Sequence, residues 1–173
     1  MGIVIPLQAE ACKSFLTTRM KQKILTFVVC GKKLLVLHSK PHLNHREGGW
    51  FVVTGAIENE ESPENAVKRE VKEETDLDVE EVFNLNWGSV YEWRNEIYEE
   101  TNFIAFVNEG KVKLNEEHNK FRWMGLDKFV DIIRWDDDKR ILKEVLKMAI
   151  KKEKYFKEKE IKDYRKDNSK VYK

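Results

Sequence analysis

Three glutamates, Glu70, Glu73 and Glu74, fall within five consecutive residues of the stretch GAIENEESPENAVKREVKEETDL, residues 55–77. Ser62 followed by Pro63 reads as a helix start. A serine hydroxyl accepts from the first unpaired N–H groups, and proline suits the first helical position. The helix is expected to run to about Thr75. At about 100° per residue, with Ala66 at zero, Glu70 falls near 40°, Glu74 near 80°, Val67 near 100° and Val71 near 140°. Glu73 lies just on the other side of Ala66, and Lys68, Lys72 and Asn65 occupy the opposite face. Charge on a helix is usually a solvated face, and the lysines supply one here. Glu70 and Glu74 instead sit among apolar residues and point toward the body of the protein or a cleft at its edge. Carboxylates at i, i+3 and i+4 crowd together. Bare and partly desolvated, they repel and their pKa values rise. A hard divalent cation neutralises such a cluster, and oxygen ligands without His or Cys favour Mg²⁺, Mn²⁺ or Ca²⁺ over zinc. Arg69 neighbours the cluster and is able to hold one carboxylate bidentately.

The elements around this helix follow from periodicity and turn residues. Lys23 to Cys30 is apolar and β-branched and reads as a buried strand. Gly31-Lys32-Lys33 is a turn, with Leu34 to His38 as the hairpin partner. A polar stretch, Ser39 to Gly49, leads into a short strand, Trp50 to Thr54, and a loop, Gly55 to Glu61. Val79 to Val107 reads as two or three antiparallel strands, turning near Trp93-Arg94-Asn95-Glu96. Phe121 to Met124 is a further strand. Asp127 to Ile133, and Asp136 onward, read as helices. In the second, Ile141, Leu142, Val145, Leu146, Ala149 and Ile150 form an apolar stripe suited to packing on a sheet. No internal repeat is present.

Residues 55–77 resemble the box of the Nudix hydrolase family. That pattern is a Gly, five residues, a Glu, seven residues, Arg-Glu, an apolar residue, any residue, Glu-Glu, any residue, Gly, an apolar residue. Gly55, Glu61, Arg69, Glu70, Val71, Glu73, Glu74 and Leu77 match in register, and Asp76 replaces the last Gly. That Gly serves as a left-handed helix end, which Asp tolerates better than most residues, so the departure touches the cap and not the chemistry. The resemblance implies an α/β fold, an α/β/α sandwich around a central mixed sheet. It implies Mg²⁺, or Mn²⁺, held by Glu70, Glu73 and Glu74 and the backbone carbonyl of Thr54. Families often add a Glu from a later loop. Glu117 is the candidate, with Glu116 the alternative.

The activity implied is hydrolysis of a phosphoanhydride bond, with a water made acidic by the metal attacking phosphorus. Glu73 and Glu117 are the candidates for the base, and the sequence leaves the choice open. Lys40, Arg46, Trp50 and Gly55 are expected at the substrate. Loop lysines and arginines also commonly do no more than face solvent. The same holds for His38, His42, His45 and His118, of which His118 beside Glu117 is the best placed for acid–base work. Trp50, Trp87, Tyr91, Trp93 and Phe103 are able to stack on a flat base or pterin, with at least one expected in the pocket. Strand aromatics are more often core residues.

Val53-Thr54-Gly55-Ala56-Ile57-Glu58, and Glu117-His118 before Phe121-Arg122-Trp123, resemble the dihydroneopterin triphosphate pyrophosphatase subgroup, and more loosely the dinucleoside polyphosphate hydrolases. No proline follows the box, unlike in ADP-ribose hydrolases. The expected substrate is therefore a small nucleotide-like metabolite: a nucleoside or pterin triphosphate or a dinucleoside polyphosphate.

The 173 residues suit one domain. A formal net charge of +1 gives no global field that singles out nucleic acid or membrane. Cys12 and Cys30 are too few for a disulfide scaffold. The apolar run Ile3 to Leu7 stops at proline and is too short for a leader or a span, so a cytoplasmic protein is expected. The domain is read as 1–150. Residues 151–173 hold ten Lys/Arg and five Asp/Glu, a net +5 that leaves −4 for the rest. Because acids interleave with bases, this extension reads as helical or disordered solvated chain. Its basic character is the support for an alternative, an RNA 5′-end pyrophosphohydrolase. A non-catalytic ligand-binding domain ranks behind both, since all the box carboxylates are kept. A homodimer is compatible with the family, and no residue reports an interface.

Overall fold

The computed structural model describes residues 20–41 and 48–153. Arg46, His42, His45, Cys12 and nearly all of the charged extension lie outside the described residues.

Among the described residues, seven strands form one mixed sheet: β1 (Lys21–Cys30), β2 (Lys33–Ser39), β3 (Gly49–Phe51), β4 (Val53–Ala56), β5 (Val79–Trp93), β6 (Glu96–Val107) and β7 (His118–Met124). The helices are α1 (Pro63–Thr75), α2 (Leu126–Ile132) and α3 (Lys139–Ile150). Strand β1 lies at the centre, parallel to β6 along one edge. Its other edge is shared. Near the turn at Gly31 it pairs with β2, and at its start with β4. The hairpin therefore splays, and the extended segment β3–β4 fills the gap, β3 on β2 and β4 on β1. Strand β7 takes the free edge of β2.

Alternation along the strands sorts side chains onto two faces. Ile24, Val28, Leu35, Leu37, Phe103, Ala105 and Val107 meet Ala66, Val67 and Val71 of α1. Leu25, Phe27, Val29, Leu34, Val36 and Ile104 meet Phe129 and Val130 of α2 and Leu142, Val145, Leu146 and Ala149 of α3. This is the expected α/β/α sandwich, one helix on one face and two on the other.

Boundaries moved where tertiary pairing overrode local signal. The single strand expected over Trp50 to Thr54 breaks at Val52 and continues to Ala56, because β1 offers partners as far as Lys23. The last helix begins at Lys139, since the Asp138 side chain caps it, accepting from Arg140 N–H at 2.8 Å. Residues 79–107 form two strands. Arg94 and Asn95, with φ of 52° and 62°, make the turn between them. Positive φ at both central positions matches the twist of a two-residue hairpin. No helix among the described residues is long and apolar enough to cross a membrane.

Candidate functional site

The site grows from the start of α1. Ser62 Oγ accepts from Asn65 N–H at 3.2 Å, and Pro63 occupies the first turn. The helix ends at Asp76, φ 60°, the left-handed position expected for it. Lys113 and Lys72 hold the Asp76 carboxylate and keep its pKa below the usual range.

Arg69 ties the preceding loop to this helix. Its Nε and Nη2 donate to the two carboxylate oxygens of Glu61, each at 2.9 Å, and Nη2 also donates to the Ala56 carbonyl at 2.8 Å. Glu61 in turn accepts from Glu58 N–H at 3.1 Å. The bidentate partner anticipated for Arg69 is thus Glu61, whose pKa the guanidinium lowers. Nη1 reaches Glu70 at 2.7 Å and Glu73 at 3.5 Å. Arg69 therefore sits behind the acid cluster as its clamp.

Gly55 matters for space. A Cβ built there would lie 2.0 Å from the Glu70 carboxyl, so any side chain would push that carboxylate out. β4 and α1 cross at this contact.

Glu74 is only 5% exposed, packed with the apolar stripe of α1. Among the described residues, its Oε2 has no hydrogen-bond partner. Burial first, and then the charges of Glu70 and Glu117, push its pKa up to about 9, and a hydrogen bond from the Thr54 backbone pulls in the other direction. Burial likewise raises Glu70, against the pull of Arg69 and with Glu73 and Glu117 adding to the rise. Glu73 is the exposed member, its side chain 57% accessible.

The later loop does deliver Glu117. β2 and β7 shift register between His38 and Ser39. There Lys40 N–H donates to the Glu117 carbonyl at 3.0 Å and Lys40 Nζ to the Glu116 carbonyl at 2.6 Å. Both acids line the same cleft as Glu74, but Glu117 is the one whose charge acts on Glu70 and Glu74. His118 follows it, buried, with Nε2 3.8 Å from Glu74 Oε2. Asn115 Oδ1, 3.0 Å from Nδ1, places the ring proton on that nitrogen, and burial keeps the imidazole neutral by lowering its pKa.

Among the described residues, no three His, Cys, Asp or Glu side chains already converge as a group able to hold a metal. The reason is visible in Arg69, which draws Glu70 and Glu73 toward itself. The donor set nonetheless suits a hard cation: oxygen ligands only, one of them a buried carboxylate oxygen without a partner. Arg69 engages Glu70 through Oε1, so a cation there would share that carboxylate with the guanidinium.

A cleft of about 1950 Å³ opens beside these acids. Thr54, Lys40, Glu61, Glu74, Glu117 and His118 line it. So do Trp87, Tyr91 and Trp93 of β5, Glu100 and Asn102 of β6, and Trp135 from the turn after α2. Of the anticipated aromatics, Trp87, Tyr91 and Trp93 are there. Phe103 is fully buried on the α1 face. Trp50 is absent from the lining. It packs edge-on against His38 at 5.0 Å and under the Arg122 guanidinium at 4.8 Å, while its neighbours Phe51 and Val52 face the cleft. Sequence reasoning missed Glu61 as the clamp, and Glu100, Asn102 and Trp135 entirely. The spacing of the Arg69–Glu61 pair was a usable signal. Of the others, Trp135 lies far in sequence from Glu100 and Asn102, and nothing local marked the three as a group.

Comparison with known proteins agrees with this architecture. The family model described as the NUDIX domain matches residues 20–145. Among curated proteins, the chain is 33% identical over 100 residues to an octanoyltransferase of Myxococcus xanthus, covering 53% of this chain and 26% of that protein. It is 31% identical over 107 residues to the NAD-capped RNA hydrolase NudC of Actinobacillus succinogenes, covering 60% of this chain and 39% of that one. The chain thus spans well under half the length of these curated relatives. Among solved structures, a C. elegans Ap4A hydrolase binary complex shares the fold, with a TM-score of 0.60 and 21% identity over 75% of this chain and 98% of that one.

Proposed function

Since this chain belongs to the NUDIX family, we propose that it hydrolyses a phosphoanhydride bond in a small nucleotide-like metabolite with a divalent cation, Mg²⁺ or Mn²⁺. The substrate class is a nucleoside or pterin triphosphate or a dinucleoside polyphosphate. The observation that carries the reading is Glu74: a carboxyl buried at the head of an open cleft, its Oε2 unpaired, surrounded by other acids. An isolated protein gains nothing from such a group, and a cation turns the cost into binding. The likeness to an Ap4A hydrolase fold supports the substrate class.

On this reading Glu70, Glu73, Glu74 and Glu117, with the Thr54 carbonyl, would hold the cation. When bound, it offsets phosphate charge and makes water acidic enough to attack phosphorus. Glu117 accepts the proton of the attacking water at its carboxylate, because it lines the cleft with Glu74 whereas Glu73 leans on Arg69. Arg69 and Glu61 act by positioning, holding the loop and the helix in register. Lys40 lines the cleft and binds the Glu117 loop, so it serves the phosphates and the loop together. Gly55 admits Glu70. The hydrolase domain is taken as residues 1–150 and the remainder as a charged extension.

The test is a substrate panel with Mg²⁺: nucleoside triphosphates, dihydroneopterin triphosphate, diadenosine polyphosphates, ADP-ribose and 5′-triphosphate RNA, resolved by anion exchange, with Glu74→Gln in parallel. Cleavage by the native chain and none by the variant is expected. Equal turnover by both would remove the assignment. A second reading, action on an RNA 5′ end, draws support from the named activity of the Actinobacillus relative. It requires RNA cleavage that weakens steeply with salt.

A further inference from the structure

The part of the cleft walled by β6 and the turn after α2 is not built like a solvent channel. Along the face of the sheet that carries α2 and α3, β1 and β6 present side chains in register: Phe27 beside Ile104, Leu25 beside Asn102, Lys23 beside Glu100. The first pair belongs to the core. Beyond it the row turns polar while remaining covered. Asn102 is 4% exposed and its Oδ1 has no hydrogen-bond partner. Trp135, held 5.8 Å from Phe27 and 5.5 Å from Trp87 between ring centroids, has a buried Nε1–H that is equally unpartnered. Both residues line the cleft, as does Glu100. Buried polar atoms almost always find partners, and leaving one unpaired is costly. Two orphans of opposite sense, an acceptor and a donor, in one part of one cleft describe the complement of a ligand edge. Thr26 Oγ1 is also unpartnered, but its strand position turns it to the α1 face, away from this group.

We propose that this part of the cleft, Glu100, Asn102 and Trp135, reads the 2-amino-4-oxopyrimidine edge shared by guanine and pterin rings. That edge presents an amino group, a ring N–H and a carbonyl in succession. The Glu100 carboxylate accepts from the ring N–H and the amino group, Asn102 Oδ1 accepts the second amino proton, and Trp135 Nε1–H donates to the carbonyl. Burial alone pushes the Glu100 carboxyl up and neighbouring Lys23 draws it back, so two incoming N–H donors restore what lost water removed. An adenine edge would set a ring-nitrogen lone pair against Glu100. Trp87 and Tyr91 in the adjoining wall supply aromatic surface for the ring.

This inference rests on the hydrolase reading only in taking the ring to be part of the substrate, and its test needs no turnover. GMP, IMP, AMP and neopterin would be titrated calorimetrically into the full chain in EDTA. IMP differs from GMP by the 2-amino group alone. The expected result is at least tenfold tighter binding of GMP than of IMP or AMP, a preference abolished by Glu100→Gln. Trp135→Phe should weaken GMP and IMP by the same factor. Neopterin binding more tightly than GMP would identify a pterin as the ring, and the reverse a guanine nucleotide. Equal binding of GMP, IMP and AMP by the native chain overturns the proposal, and that comparison requires no variant to fold. Ring discrimination without any hydrolysis in the substrate panel would count against the hydrolase reading alone. Hydrolysis without ring discrimination would count against this one alone.

Discussion

Replacing Glu74 by Gln should make the metal-free protein more stable at alkaline pH while abolishing turnover. The sign follows from linkage. In the unfolded chain the carboxyl titrates near its ordinary value of 4.5, and in the folded protein at about 9. Between those values the folded state holds a proton that the unfolded state has released. Stability from this group is therefore complete below about 4.5 and is lost as pH rises toward 9. The loss is about 1.4 kcal/mol per pH unit for one proton. From pH 7 to 8.5, above the range in which buried His118 titrates, it amounts to about 2 kcal/mol, or about 4–8 °C in Tm for a domain of this size. The Gln amide has a partner available, since the neutral Nε2 of His118 stands 3.8 Å from the replaced oxygen. The assay is urea denaturation of both proteins in EDTA across this range. The native chain should lose stability with pH and the variant should stay flat. Adding Mg²⁺ should flatten the native curve, because the ionised carboxylate is then the bound form. Parallel slopes for the two proteins in EDTA would refute the assignment of a buried, protonated Glu74.

Gly55→Ala places a methyl group against the Glu70 carboxyl and should cost about 1–3 kcal/mol of stability. It should also weaken Mg²⁺ binding measured by calorimetry, and unchanged Mg²⁺ affinity would show that Glu70 is not a ligand. Glu117→Gln should lower kcat by about 10²–10⁴-fold in steady-state turnover, whereas Glu73→Gln should lower it far less. The opposite pattern would transfer the base to Glu73. Arg69→Lys keeps the charge but not the two-pronged contact with Glu61, and a loss of about 1–3 kcal/mol is expected in urea denaturation. Asp76→Gly restores the usual helix-end residue at φ 60° but forfeits the contacts to Lys72 and Lys113. Thermal denaturation should give nearly the same midpoint, and turnover should stay as it was.

The sequence by itself determined whatever short-range periodicity controls. Helix α1, its Ser62 cap, its left-handed end at Asp76 and the inward tilt of Glu74 all follow from neighbours within a few turns. The spacing of Gly55, Glu61, Arg69 and the three glutamates was legible for the same reason, and the continuous apolar run of β1 marked a buried strand. What only the tertiary structure decided depends on residues far apart in the chain. The splayed hairpin and the segment inserted between β1 and β2 set Gly55 against Glu70. The register shift between β2 and β7 chose Glu117 over Glu116 as the acid that acts on Glu74. The direction of Trp50 could not be read because the strand breaks at Val52, and a one-residue change of phase moves a side chain to the other face. Glu100 and Asn102 belong to β6 and Trp135 to the turn after α2, and no local pattern links the strand pair to the tryptophan. They meet because β6 runs parallel to β1, and long-range pairing of that kind is a property of the assembled sheet.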